Sequence, residues 1–152
     1  MTSAIERRLA AQGLELPQAA APAANYVPYT VSGRLVLVAG QMPFEGGRVA
    51  VVGRLGDDVS VAAGQKAARL CALNLLAQAK AACGGNLDRL GRCVKLGGFI
   101  SCTPEFTEHP EVVNGASDLI VLAMGEAGHH APLCGWLPKL AAQCCGRGRG
   151  DL

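Results

Sequence analysis

Gly33-Arg34-Leu35-Val36-Leu37-Val38-Ala39-Gly40-Gln41-Met42-Pro43 decides how this chain is read. Leu35 to Ala39 is a strand candidate rich in branched side chains, and Gly40-Gln41-Met42-Pro43 breaks it. Tyr26 to Val31, just upstream, is a second candidate. Ser32-Gly33-Arg34 between them is a turn signal, so the two strands form a hairpin. Downstream, Gly46-Gly47 turns the chain again, and Arg48 to Val52 reads as a third strand. Asp57-Asp58-Val59-Ser60 then opens the longest helix, with Ser60 or Asp58 as its cap. That helix runs to about Cys83 and stops at Gly84-Gly85. Ala68, Cys71, Ala72, Leu75 and Ala79 recur on one apolar face, and their small size lets the helix lie close to a sheet.

Leu87 to Leu90 reads as a short turn and Cys93 to Ser101 as a fourth strand, where Gly97-Gly98 suggests a bulge or a close backbone approach. Thr103-Pro104 ends it. Pro110 suits the first position of a second long helix, Glu111 to Met124, closed by Gly125 and Gly128. At the other end, Ser3 followed by Glu6 is a capping box for a helix from Ser3 to Gln12, and Gly13 stops it. Leu14 to Ala24, rich in Pro and Ala, reads as an extended, solvated arm. The order strand, strand, strand, helix, strand, helix calls for one or two further strands.

A chain of 152 residues fits one domain with a single core. Aromatic residues are 4% of it, so Val, Leu, Ile and Ala must build that core. The formal net charge of +2 is too small to argue for nucleic acid or an anionic membrane. No apolar run approaches the roughly 20 residues of a membrane helix, and the first residues hold no apolar signal core. The expected location is the cytoplasm. Cys71, Cys83, Cys93 and Cys102 lack metal-ligand spacing and are expected to be buried, reduced thiols. His129-His130 reads as a loop or strand start and not as a metal pair: neighbouring strand residues point to opposite faces and no third ligand is near. His109, before Pro110, reads as a turn residue.

From Ile5 to Ala131 the chain resembles the Rid (YjgF) family, also known as endoribonuclease L-PSP-like or translation-inhibitor-like. The resemblance lies in Asn25-Tyr26-Val27-Pro28, in Gly33 to Pro43, in Gly64 to Leu76, in Val94 to Phe99 and in Val112 to Leu119. It implies an α+β fold of the chorismate-mutase-like (Rid) type: a mixed sheet with two helices packed on one face. It also implies a homotrimer with small-molecule clefts between subunits, no cofactor and no metal. The reaction it implies is hydrolysis of reactive enamines and imines to ketoacids and ammonia. Such a substrate needs a planar cation that grips a carboxylate at two points, and a carboxylate that orients water. In the family the cation is an arginine beside a serine, and the carboxylate sits in a terminal Val-Glu strand.

Here Pro132 stands in the arginine's place, and the chain ends Gly146-Arg147-Gly148-Arg149-Gly150-Asp151-Leu152. Read one base later, the codons of Pro132 to Trp136 admit Arg-Ser-Ala-Val-Gly. Those of Lys139 to Gln143 admit Ser-Leu-Pro-Leu-Asn, and those of Cys144 to Asp151 admit Ala-Ala-Val-Glu-Val-Glu-Val-Ile. One offset thus recovers three family features in order, and the tail reads as a frameshift beginning near residue 132. The expected organisation is an N-terminal helix and arm (1–24), an α+β domain (25–131) and an aberrant, disordered tail (132–152) that disrupts the terminal strand.

On the resemblance, Tyr26, Gly40, Gln41 and Asn114 remain as substrate-binding residues, with no catalytic residue in frame. Tyr26 is open to two roles, a hydroxyl in the cleft or an amphipathic interface residue. Asn114 is equally readable as a helix-surface amide. Ala39 replaces the family's usual serine. The expected protein is impaired as an enamine/imine deaminase. The alternatives are a non-catalytic trimer that binds small imine, enamine or carboxylate ligands and, ranked last, a ribonuclease.

Overall fold

The structure, a computed structural model, describes residues 2–22, 25–137 and 146–151, the last six through their backbone alone. The chain begins with α1 (Ala4–Ala10), whose capping box is complete: the Ser3 hydroxyl accepts from the Glu6 N–H, and the Glu6 carboxylate accepts from the Ser3 N–H. The helix is not an appendage. Ile5 and Leu9 are buried in the main core, and Leu14 and Leu16 of the following arm pack against it. Polar bonds fasten the same region: Arg8 donates to the Ala123 carbonyl, and Gln78 donates to the Ala20 carbonyl. The described part of the arm is extended and mostly exposed, as its Pro-Ala composition suggests, but Leu14 and Leu16 anchor it to the core.

β1 (Tyr29–Ser32) and β2 (Leu35–Gln41) form the expected hairpin around Gly33, whose φ of 58° suits the turn. Val36 and Val38 point inward, while Leu35 and Leu37 point to the other face. The register against the next strand slips between Val38 and Gln41. This irregularity re-aims the chain, so Gln41 rather than Gly40 is buried. The third expected strand, Arg48 to Val52, forms only over Arg48–Val49 and outside the main sheet. β3 (Phe44–Glu45) and β4 (Arg48–Val49) make a separate two-stranded hairpin over Gly46-Gly47. Asn74 holds it down by donating to the Met42 and Phe44 carbonyls.

α2 (Val61–Ala82) is capped by Ser60, whose hydroxyl accepts from the Ala63 N–H. Asp58 instead closes the preceding loop by accepting from the Arg54 N–H. Every residue from Leu70 to Ala79 is buried, so the middle of this helix is enclosed rather than half-exposed. A 3-10 turn (Leu87–Arg89) leads to β5 (Lys95–Ser101), and α3 (His109–Met124) follows with Pro110 in its first turn. α3 crosses α2 at Gly115, where a Cβ would lie 2.2 Å from the Gln65 carbonyl oxygen. Only glycine permits that approach. Gly98 likewise admits Val113 of α3, since a Cβ there would stand 3.1 Å from its Cγ2. The ladders run unbroken through Gly97 and Gly98, so close approach and not a bulge explains Gly98.

Two more strands follow, contrary to the expectation of a disordered tail. β6 (Ala131–Leu137) pairs parallel with β5 at one edge of the sheet, and β7 (Gly146–Asp151) lies antiparallel between β2 and β5. The order is β1-β2-β7-β5-β6, a mixed sheet. Backbone pairing is largely indifferent to side chains, and the slot between β2 and β5 offers unpaired N–H and C=O groups on both sides. Gly146 to Asp151 contains no proline, so it can satisfy both rows. Pro132 is tolerated because β6 is an edge strand. The expected Leu-Pro of the shifted frame falls in 138–145, outside the described residues. Helices cover one face of the sheet, and the core lies between.

Candidate functional site

The four residues expected to bind substrate do not meet within one chain. Tyr26 precedes β1 and is 41% exposed. Gly40 and Gln41 end β2, and the buried Gln41 amide donates to the Ala39 carbonyl at 3.0 Å. Asn114 sits on the exposed face of α3. β7 and β5 separate β2 from β6, a gap of about 14 Å at the usual strand spacing. Tyr26, Gly40 and Gln41 therefore occupy one side of the sheet and Asn114 the other.

Around Asn114 the structure builds a cleft of about 820 Å³ between α3 and β6. Val113, Asn114, Ser117 and Asp118 line it from the helix, and His130, Pro132 and Cys134 line it from the strand side. The alternation of an extended chain explains why His130, Pro132 and Cys134 share a face. Pro132, where the resemblance implies an arginine, thus opens into the same cleft as Asn114. His129 lines it too, because it caps the preceding 3-10 turn and stands outside that alternation. Both histidines reach one cleft from the loop before β6, the loop or strand-start position expected for them. Among the described residues there is no group of three or more metal-ligating side chains.

A polar pair in this cleft was not legible in the sequence. Ser117 Oγ lies 3.0 Å from His130 Nε2, and His130 Nδ1 lies 2.7 Å from the Gly128 carbonyl oxygen. The carbonyl can only accept, so Nδ1 carries a proton. In the neutral ring Nε2 is then a lone pair facing the serine hydroxyl. The two residues are 13 positions apart on different elements, and no local spacing rule connects them.

His109, at the start of α3, faces the buried Cys102 with Nε2 3.3 Å from its Sγ, and meets Phe106 edge-on at 5.2 Å. Burial pushes the Cys102 thiol above its ordinary pKa, which keeps it protonated and unreactive. Cys71, Cys83 and Cys93 are buried as well, as expected.

A mixed sheet backed on one face by helices, with an open cleft beside its last edge strand, defines an α+β protein of the chorismate-mutase-like class. Residues 6–144 match the family model described as "YjgF/chorismate mutase-like, putative endoribonuclease", and the chain belongs to that family. It is 49% identical over 120 residues to Protein TCP17 of Trypanosoma cruzi, covering 78% of this chain and 74% of that protein. The crystal structure of Atu1372 from Agrobacterium tumefaciens, a protein of unknown function, superposes with a TM-score of 0.92 at 46% identity, covering 97% of this chain and 91% of that one. A Shewanella oneidensis structure named as an endoribonuclease gives 0.94 at 37% identity, covering 97% of each chain. No helix among the described residues is long and apolar enough to cross a membrane.

Proposed function

We propose that this protein derives from a cytoplasmic homotrimeric enzyme that hydrolyses reactive enamines and imines to ketoacid and ammonia, and that the chain as written is impaired in it. The observation that carries this reading is the register of β7. Gly150 stands between Val38 of β2 and Leu96 of β5, and Gly146 stands beside Ile100. Val38, Leu96 and Ile100 are each 2% exposed and face the helices. Positions 146, 148 and 150 are thus core-facing, and the shifted frame admits valine at all three. It admits glutamate at 147 and 149, which share the open face with Phe99 and Gly97. A frame that fits the pleat of the sheet supports reading this segment as the family's own strand, with the carboxylate its chemistry requires. The same shift admits arginine at position 132, inside the α3 cleft.

The separation of Tyr26, Gly40 and Gln41 from Asn114 favours sites at subunit boundaries, where one copy's β1–β2 edge faces another's α3 cleft. The size of that cleft also favours a second reading for the chain as written, a trimer that binds small molecules without turning them over.

The test compares two proteins, the chain as written and one encoded after deleting a single nucleotide at codon 132. Each is given a short-lived 2-imino acid generated in situ by an amino acid oxidase. Faster ketoacid and ammonia release by the restored protein alone is expected. Equal rates from both proteins, or no acceleration by either, would contradict the reading.

A further inference from the structure

We infer that Ser117 and His130 form a nucleophile–base pair that gives this cleft an acyl-ester hydrolase activity, independent of the imine chemistry. The geometry has the three parts such a pair needs. The hydroxyl is 3.0 Å from the ring nitrogen that would take its proton, and the opposite ring nitrogen is anchored 2.7 Å from a backbone carbonyl. The Gly128 carbonyl plays the orienting part that a carboxylate plays in a triad. The pair opens into a cleft of about 820 Å³, large enough for a small ester. Asn114 lies one helical turn before Ser117 and lines the same cleft. Mid-helix N–H groups are committed to the helix, so the Asn114 side-chain amide is the donor available to the oxyanion.

The reaction balances without a co-reactant other than water. Ser117 Oγ bonds to the acyl carbon as its proton passes to His130 Nε2. The bond from the acyl carbon to the leaving oxygen breaks, and His130 returns the proton to that oxygen. Water then attacks the acyl-serine, giving its proton to His130; the bond from the acyl carbon to Oγ breaks, His130 returns the proton to Oγ, and the acid leaves. Substrate class follows from the walls. Val113, Val121, Leu122 and Pro110 are apolar, and Asp118 is the charged residue among those lining the cleft. It repels anions, so the substrate is a small uncharged or cationic ester. Both Ser117 and His130 precede residue 132, so the pair is identical in either reading frame.

The experiment uses the full chain carrying Cys134→Ala, so that no cleft thiol competes for the acyl group. p-Nitrophenyl acetate is the probe, p-nitrophenyl succinate the anionic control, and mass mapping locates the acetyl group. Acetylation of Ser117 is expected, with acetate ester turned over faster than succinate. His130→Gln should slow it by about 100-fold, the low end of general-base contributions. Ser117→Cys should keep the acylation site. Should Ser117→Ala, still cooperatively folded by circular dichroism, match its parent rate, the inference is overturned. Acetyl found elsewhere and not on Ser117 would overturn it equally.

Discussion

Glu6 shows how one side chain closes two structures at once. Its carboxylate accepts from the Ser3 N–H and hydroxyl, and its other oxygen accepts from Lys80 of α2 at 2.6 Å. The hydrogen bond from Lys80, then those from Ser3, hold its pKa at about 2 instead of 4.5. The folded pKa is below the unfolded one, so the stabilisation is complete above about 4.5 and is lost as pH falls toward 2. Urea melts across that window should show stability falling with acidification, and Glu6→Gln should flatten the slope. An unchanged slope would assign the acid sensitivity to other carboxylates. The Ser3–Glu6 half of this arrangement was legible, because capping is a contact between residues three apart. The Lys80 half was not, since 74 positions separate the partners.

Among the elements, β7 is the one whose sequence and place disagree. Strand pairing on both sides fixes its backbone, yet its core-facing positions are glycines that offer the core nothing to bury. Gly150→Val adds a branched side chain between Val38 and Leu96. Burying it contributes about 1.5–3 kcal/mol, and replacing strand glycine lowers the entropy lost on folding. A higher urea midpoint with unchanged slope is the expected result. A lower midpoint would mean that α2 already fills the space above Gly150. α2 itself was read almost to the residue, because serine capping and a double-glycine stop are local signals. β3 and β4 were not, because the valines after Arg48 suggest a longer strand than the separate hairpin that forms.

For the molecule as a whole, the sheet has one covered face and one open face. Leu35 at 36% and Leu133 at 47% exposed lie on the open side, with Leu37 and Phe99 between them. A face of this kind is suited to a second copy, and the divided site residues call for one. Sedimentation equilibrium should give three times the 15.6 kDa chain mass. Leu37→Lys should reduce it to a monomer. A monomeric parent chain would remove the assembly and the boundary sites with it.

The sequence by itself determined the helices, their caps, the first hairpin and the family, since these rest on neighbours within a few positions and on runs of matching residues. Its codons, one base later, also admit a strand pattern that the fold can use. Only the tertiary structure decided that the N-terminal arm joins the core, that β7 enters between β2 and β5, and that Ser117 meets His130. Each of those depends on segments distant in the chain. Their contacts are set by which surfaces remain unburied and which backbone groups remain unpaired once the local elements have formed, and no short window of sequence records that.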